Sequence, residues 1–316
     1  MLVTAKLRGV PNITPRLDRM GFIRISDYPM EDFLPHQKYI RHPDLSFSLL
    51  YAWELDYLYR IRVMDGNPVI VGFDVTGDLF FSVIPAEPET LMGTVRTVIE
   101  MLSGLGVDFS MKYITGDYAN LFQQSGLDLT FDPDFSDYIY ESGDFVQLTG
   151  NRNKTKRHEY QGLLKRFGDC RYEDMGQENY TDITRVFDRW CDSHPCENCV
   201  WGCEKRAFSR LLDLVLDRPD RYYGGIVYLD GAPASFGIAE RVNDDWVCYH
   251  AQKNAVAVDG LTYYLHYMMA LRHQDVPYIN WGEDMGVEGL RINKQRYHPC
   301  RMEHKYEISF RCGKHL

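Results

Sequence analysis

Short runs of β-branched and aromatic residues alternate with longer segments in which apolar residues recur at helical spacing, and this pattern predicts a mixed α and β protein. In the first half, Tyr57–Val63, Pro68–Val71 and Leu79–Val83 are strand-like, and a turn at Asp65–Asn67 separates the first two. We therefore expect an antiparallel meander there. The elements predicted after it are a helix at about Glu89–Leu102, a strand at Phe109–Ile114, a helix at Tyr118–Gln124 and a strand at Asp137–Tyr140.

The second half repeats this succession of elements without visible sequence identity. The predicted elements are helices at Lys154–Phe167, Tyr180–Cys191 and Glu204–Leu216, a hairpin of Gly224–Leu229 and Ala234–Arg241, a strand at Asp245–Gln252 and a helix at Leu261–Arg272. We expect two domains, 1–150 and 151–316. The first ~50 residues, interrupted by prolines, are predicted to form a helical lead-in to the first domain.

A strand, an acidic turn and a basic helix follow one another closely at Tyr278–Tyr297. Tyr278–Trp281 is strand-like, and Asp284 is the expected N-cap of a helix that ends before Pro299. On this helix Arg291 and Lys294 are three residues apart and share a face that suits an anion. The alternative is a solvated helix on an ordinary sheet.

Two blocks of the sequence resemble the signature of the phosphatidylglycerol lysyltransferase C-terminal-domain-like family. The first block has Asn280, Glu283, Asp284, Gly286, Gly289, Leu290, Arg291, Lys294, Tyr297, Pro299, Lys305 and Tyr306. The second has Asp137–Tyr140, Leu148–Gly150, Lys154, Lys156, Arg157 and Phe167. Together these blocks extend the resemblance over most of the chain.

The resemblance implies an α+β fold of two tandem GNAT-like (acyl-CoA N-acyltransferase) domains, each with a mixed central sheet flanked by helices. It relates the chain to FemX-like aminoacyltransferases, which move an aminoacyl group from tRNA to an amine or hydroxyl of a lipid or peptide. We therefore expect an acyl- or aminoacyltransferase that uses coenzyme A or aminoacyl-tRNA as donor substrate, without a tightly bound cofactor. The alternative is a non-catalytic GNAT-like module that binds an anionic ligand or partner.

Charge is divided unevenly between the two halves. Residues 1–150 carry 11 Lys and Arg against 21 Asp and Glu, whereas residues 151–316 carry 24 of each, which together give the net charge of −10. An anionic donor is therefore expected on the second half, although the asymmetry is also explained by solubility alone. No apolar run is long enough to span a bilayer, so we expect a cytoplasmic protein without integral membrane association. We also expect no DNA binding.

Two further segments offer binding groups for the donor. The loop Lys253–Thr262 lies between a predicted strand and helix, where a GNAT fold holds donor phosphates, and Lys253 and Gly260 are its candidates. It has fewer glycines than an acetyl-coenzyme A loop, and a plain surface connection explains it equally well. Lys154 and Arg157 belong to a basic cluster at a predicted helix start, where the helix dipole disfavours cations. The remaining binding candidates are Asn280, Arg291, Lys294 and Lys305.

Acyl transfer requires a base for the acceptor, stabilisation of the carbonyl oxygen and an acid for the leaving group. We predict that Glu283 or Asp284 orients or deprotonates the acceptor and that Tyr297 protonates the leaving group. The alternative for the two carboxylates is helix capping together with an ion pair to Arg291.

Four cysteines form a dense cluster at 191, 196, 199 and 203, with His194 between the first two. This spacing is compatible with a zinc or iron–sulfur site but matches no standard pattern, so the metal remains unknown. The simpler interpretation is that these cysteines are buried thiols that fill apolar space. A protein that senses a metal or the redox state through this cluster is a third functional hypothesis.

Overall fold

The computed structural model describes residues 12–194 and 202–312. These divide into two compact units, the first comprising 12–136, 202–211 and 303–312, and the second comprising 137–194 and 212–302. Each unit contains a seven-stranded mixed sheet flanked by helices. The expected α+β architecture, with a mixed sheet flanked by helices in each of two units, is therefore confirmed.

The sheet of the first unit has the order β1-β2-β3-β4-β5-β14-β6, with strands numbered along the chain. Its strands are β1 Ile23–Arg24, β2 Arg60–Met64, β3 Asn67–Phe73, β4 Leu79–Val83, β5 Phe109–Thr115, β6 Thr130–Phe131 and β14 Lys305–Phe310. Its helices are α1 Thr14–Arg19, α2 Met30–Phe33, α3 Phe47–Tyr57, α4 Leu91–Ser103 and α5 Gly116–Gln124. The predicted meander is confirmed, because β2, β3 and β4 pair antiparallel in succession.

The core of the first unit lies between this sheet and its helices. Val69, Val71 and Phe81 of the meander pack with Val95 and Val98 of α4, and all five are buried. Alternate positions of a strand point to one face of the sheet, so Val69 and Val71 reach the same core.

The sheet of the second unit has the order β13-β7-β12-β11-β10-β9-β8. Its strands are β7 Asp137–Glu141, β8 Cys170–Asp174, β9 Tyr222–Leu229, β10 Ala232–Arg241, β11 Trp246–Asn254, β12 Tyr278–Asn280 and β13 Arg301–Glu303. Its helices are α6 Gly143–Val146, α7 Lys154–Arg166, α8 Tyr180–Asp192, α10 Leu261–Ala270 and α11 Glu288–Gln295. Helix α9, Glu204–Asp217, has its residues 204–211 in the first unit.

Two strands differ from the predicted division of the chain at residue 150. Strand β7, expected in the first domain, pairs antiparallel with β12 in the second sheet. Strand β14, expected in the second domain, pairs antiparallel with β5 in the first sheet. Strand pairing depends on which edge is available in three dimensions, and an apolar run does not identify its own partner.

Parallel pairing of β11 with β12 positions the residues that follow β12. Val247 pairs with Ile279 and Cys248 with Asn280. All four are buried, so β12 is a central strand whose end opens into the turn Trp281–Asp284. The candidate site is built around this turn.

Candidate functional site

The turn after β12 is fixed by Asn280 and Asp137. The Asn280 side-chain amide donates to Asp137 Oδ2 at 3.0 Å, and its carbonyl accepts from the Gly282 N–H at 2.8 Å. Asn280 is fully buried. The nitrogen and the oxygen of its side-chain amide therefore position the turn, and its role in donor binding stays a prediction.

Asp284 is the centre of a buried hydrogen-bond network. Its carboxylate accepts from the Tyr138 hydroxyl at 2.6 Å and from the Gly286 N–H at 2.9 Å. Arg291 donates to both of its oxygens, from Nε and Nη2, at 2.9 Å each. These donors, Arg291 above all, lower the pKa of Asp284 to about 2. Asp284 is thus ionised at neutral pH and a weak base.

Asp284 is not the N-cap of the helix, so that prediction was wrong. Helix α11 begins at Glu288, and Val287 occupies the N-cap without a side-chain cap. The carboxylate instead bonds to Gly286 and Arg291, which corresponds to the ion pair considered as the alternative. Two intervening residues with positive φ, Met285 and Gly286, lengthen the turn beyond what the sequence suggested.

Lys294 is buried beneath the same turn. Its ammonium donates to the backbone carbonyl of Trp281, and to that of Gly282 at 3.1 Å, and it lies 5.3 Å from the centre of the Trp281 ring. The Tyr140 hydroxyl in turn donates to the Lys294 carbonyl at 2.9 Å. Both cations of the predicted anion-binding face, Arg291 and Lys294, are therefore engaged with groups of the turn itself.

Tyr297, just after α11, meets His266 of α10 and Lys156 of α7. The Tyr297 hydroxyl lies 3.1 Å from His266 Nδ1. Lys156 Nζ lies 4.3 Å above the Tyr297 ring. All three residues are buried, with exposed fractions of 2%, 1% and 3% for Tyr297, His266 and Lys156. We call this group the Lys156–Tyr297–His266 cluster.

Burial shifts the pKa of each member of this cluster. Desolvation lowers the pKa of His266 to about 3, helped by the charges of Lys156 and Lys294, so its imidazole is neutral at physiological pH. Desolvation likewise raises the pKa of Tyr297 well above its usual value, and the phenol stays protonated. The pKa of Lys156 falls to about 8 for the same reason. Three proton-carrying groups thus meet in one dry region.

Aromatic rings enclose this cluster. The Tyr297 ring lies 4.9 to 5.0 Å from those of Tyr263, Phe145 and Trp281, and Trp281 meets His266 edge-on at 4.5 Å. Rings exclude water and lower the local dielectric, so the Tyr297–His266 hydrogen bond is stronger here than at a surface.

The four cations at the start of α7, Arg152, Lys154, Lys156 and Arg157, differ in their contacts. Arg157 donates to the backbone carbonyl of Leu148, and to that of Gly150 at 3.1 Å, which ties the preceding loop to the helix. Arg152 is ion-paired with Asp144. Lys154 is exposed. Of these four cations at the start of α7, only Lys156 contacts the aromatic rings around Tyr297.

The predicted donor loop is tightly packed against α7. Gly260 has φ +83°, and a Cβ there would lie 2.3 Å from the Glu159 carbonyl oxygen, so only glycine fits. Lys253 lies 3.6 Å above the Trp190 ring. Gln252 and Asn254 both donate to Thr262 Oγ1, at 3.2 and 3.0 Å.

The remaining predicted groups are Lys305, Glu283 and the cysteines. Lys305 is on β14 of the first unit, where it pairs with Asp44 at 2.6 Å. Glu283 is half-buried beside Asp284. Cys196 and Cys199 lie outside the described residues, so the metal site stays a prediction.

The sequence indicated Tyr297 as a site residue and Lys156 only as one cation of a basic cluster, and it did not indicate His266. Lys156 was visible only as one of several cations, because sequence cannot tell which lysine of a helix start points inward. His266 stands in a uniformly apolar helix, LTYYLHYMMA, where a histidine has no distinguishing signal. Lys156 and His266 meet at Tyr297 because α7 and α10 pack together, and the spacing of residues in the sequence does not predict this packing.

The comparisons with known proteins agree with this architecture. The family model described as "Phosphatidylglycerol lysyltransferase, C-terminal" matches residues 37–308, which is most of the chain. The chain belongs to this family. The suspected resemblance is thereby confirmed, and membership in this lysyltransferase family points to acyl or aminoacyl transfer as the class of activity. Comparison with curated protein sequences gives no significant match.

Solved structures of the same fold cover nearly the whole chain. A conserved protein of unknown function from Bacteroides thetaiotaomicron VPI-5482 has a TM-score of 0.78 at 23% identity, covering 92% of this chain and 99% of that chain. L-PGS from Bacillus licheniformis has a TM-score of 0.64 at 15% identity, covering 91% and 92%. FemX has a TM-score of 0.62 at 10% identity, covering 90% and 96%. At these identities the likeness establishes the fold.

Among the residues that the structure describes, no helix is both long and apolar enough to cross a membrane.

Proposed function

We propose that the second unit of this lysyltransferase-family protein transfers an acyl or aminoacyl group, from coenzyme A or a charged tRNA, to an amine or hydroxyl acceptor. The observation that carries the proposal is the buried Tyr297 hydroxyl, held 3.1 Å from His266 Nδ1 inside an aromatic enclosure. Family membership supplies the reaction class, and the cluster supplies groups that can move protons.

Tyr297 is the proposed acid for the leaving group. Its pKa is raised well above the usual value, so the phenol keeps its proton until a strongly basic oxygen or sulfur develops beside it. Neutral His266 in the tautomer with hydrogen on Nδ1 donates to the phenol oxygen, which leaves the phenol hydrogen for the substrate. The unpaired Nε2 of His266 is then an acceptor, and a buried acceptor without a partner is better tolerated than a buried donor.

The proposed step conserves atoms and charge. The acceptor nitrogen or oxygen attacks the donor carbonyl carbon, and the bond from that carbon to the leaving oxygen or sulfur breaks. Glu283 takes the proton released by the acceptor, and Tyr297 gives its proton to the leaving atom. Glu283 then loses its proton to water and Tyr297 regains one, which restores both groups.

Asp284, Arg291 and Lys294 have positioning roles in this proposal. They hold the turn that carries Glu283 and Trp281, through the contacts to Gly286 and to the backbone carbonyls of Trp281 and Gly282. The predicted roles of Lys154, Lys253 and Gly260 in donor binding remain proposals for the same unit.

The test compares Tyr297→Phe with Tyr264→Phe. Tyr264 is a matched control, since it is a buried tyrosine of α10 whose hydroxyl donates to the Cys170 carbonyl at 3.2 Å. Transfer of labelled acyl groups is measured with acyl-coenzyme A and with aminoacyl-tRNA, over a panel of amine and hydroxyl acceptors. Loss of a general acid lowers turnover by about a hundredfold or more, with donor affinity unchanged.

Equal turnover in both variants and the wild type would remove Tyr297 from the chemistry. Donor binding without transfer to any acceptor would instead favour the non-catalytic binding module. The two donors are tested separately, so the assay also identifies which of them the protein uses.

A further inference from the structure

Lys156 has no part in the proposed transfer, although its amine lies against the proposed acid. Its Nζ is 4.3 Å from the centre of the Tyr297 ring, and the exposed fraction of Lys156 is 3%. No hydrogen bond or ion pair joins this amine to another residue that the structure describes. The contact with the ring face is therefore the specific interaction observed for its charge.

The charged and titratable groups around this amine do not neutralise it. Asp144 of α6 favours the protonated amine but is itself ion-paired with Arg152. His266 of α10 is neutral, because its pKa is about 3. Lys294 of α11 is directed at backbone carbonyls of the turn after β12. The ring thus faces an ammonium whose charge no described carboxylate cancels by direct pairing.

Loss of the proton from Tyr297 creates a negative charge beside this ammonium. In a phenolate the charge spreads from the oxygen over the carbons of the ring, and the rings of Tyr263, Phe145 and Trp281 around it carry no positive charge. An ammonium above the ring attracts the phenolate more strongly than the neutral phenol. Such an attraction acts on the transition state, because the negative charge is absent before the proton moves.

We infer that the Lys156 ammonium stabilises the phenolate that forms when Tyr297 protonates the leaving group, so that the transfer depends on the charge of Lys156. The inference rests on the proposed function, in which Tyr297 is the acid. Lys156 acts through Tyr297 and is therefore a positioning residue. It gives and takes no proton in the step, so the balance of atoms and charge in the transfer is unchanged.

The dependence on this charge makes the transfer sensitive to pH. Burial lowers the pKa of Lys156 to about 8, so the amine is charged at pH 6 and mostly neutral at pH 9. His266, with a pKa of about 3, stays neutral over this range, and the raised pKa of Tyr297 keeps the phenol protonated. Turnover is therefore expected to be highest below pH 7 and to fall as the pH rises through about 8.

Fluorine NMR of the full chain measures the effect on Tyr297 without any substrate. Trifluorotyrosine, whose phenol is much more acidic than that of tyrosine, is incorporated in place of Tyr297, and its fluorine signals report the phenolate. The variants are Lys156→Met, which keeps the apolar stem, and Lys156→Arg, whose charge is permanent. Lys165→Met, at an exposed lysine of the same helix, is the control.

The fluorinated phenol should have a lower pKa in Lys156→Arg than in Lys156→Met. The expected difference is about one to three pH units, for a unit charge 4.3 Å from the ring at an effective dielectric constant of about 20 or more. The wild type and Lys165→Met should agree with each other and lie between these two variants, because the amine and the phenol titrate together.

The transfer assay then tests the consequence for turnover. Lys156→Met should lower turnover by about tenfold or more, with donor affinity unchanged. Turnover of the wild type and of Lys165→Met should fall between pH 7 and pH 9, whereas that of Lys156→Arg should not. A lysine that only fills space would leave the pH profile of Lys156→Arg like that of the wild type. Circular dichroism spectra that match the wild type show that each variant is folded.

Equal pKa values of the fluorinated phenol in Lys156→Met and Lys156→Arg would overturn the inference. So would a fall in turnover through pH 8 that is the same in Lys156→Arg as in the wild type. A shifted phenol without acyl transfer from either donor would overturn the proposed function and leave the electrostatic contact between Lys156 and Tyr297 established. Transfer with an unshifted phenol would have the opposite meaning.

Discussion

Replacing Asp284 with asparagine tests how the turn after β12 is held. The asparagine side chain would keep the size of the aspartate, but its one oxygen could accept from only one of Tyr138 and Gly286, which bond to different carboxylate oxygens, and it would lose the charge that pairs with Arg291. The structure therefore predicts a loss of stability that depends on pH. This dependence separates the charge from the shape of the side chain.

The magnitude follows from the pKa of Asp284. A value of about 2 in the folded protein, against about 3.9 for an unfolded aspartate, corresponds to roughly 2 to 3 kcal/mol of stability at neutral pH. Loss of a fully buried ion pair partner costs about 3 to 5 kcal/mol, but Arg291 is 39% exposed and can be rehydrated. We therefore expect Asp284→Asn to lower the free energy of unfolding by about 2 to 3 kcal/mol.

The sign of the pH dependence is determined by the direction of the shift. Because the folded pKa is depressed, the contribution is complete above about pH 4 and is lost as the pH falls through about 2. The free energy of unfolding, from urea denaturation, should thus differ between wild type and Asp284→Asn by about 2 to 3 kcal/mol at pH 6, by roughly half of that near pH 3, and converge below about pH 2.

Asp275→Asn is the matched control, since Asp275 pairs with Arg241 at 2.7 Å but is 62% exposed. An exposed pair of this kind contributes about 0 to 1 kcal/mol. A constant difference between wild type and Asp284→Asn from pH 6 to pH 2.5 would refute the reasoning. So would a cost no larger than that of the control.

The remaining predictions concern α10. Gly260→Ala is expected to destabilise by more than about 2 kcal/mol in thermal unfolding, because the added methyl meets the Glu159 carbonyl at 2.3 Å, whereas Gly231→Ala, at a similar φ in open space, should cost only about 1 kcal/mol. A similar loss in both variants would contradict the packing argument. His266→Gln should gain stability relative to wild type as the pH falls from about 6.5 towards 4, because the depressed pKa of buried His266 makes the native state resist protonation. A parallel decline of the two proteins in urea denaturation at these pH values would exclude a buried neutral His266.

Several elements could be predicted from sequence because their signals are local. The meander of β2, β3 and β4 follows from alternating apolar residues around Asp65 and Gly66, and its pairing needs no distant partner. Helix α11 ends at Gln295, ahead of Pro299, in agreement with the prediction that a helix cannot continue through proline. The family signature likewise depends on residues at fixed spacing, and it indicated the fold of the whole chain.

By itself, the sequence thus determined the fold class and the family, and it predicted a site in the segment around Tyr297. Only the tertiary structure decided that β7 and β14 join sheets across the expected boundary, that Arg157, Arg291 and Lys294 serve the protein's own backbone and side chains, and that Lys156 and His266 meet Tyr297. The reason is physical. Local spacing specifies which way a residue can point, but burial and the choice of hydrogen-bond partner depend on the elements that pack against it.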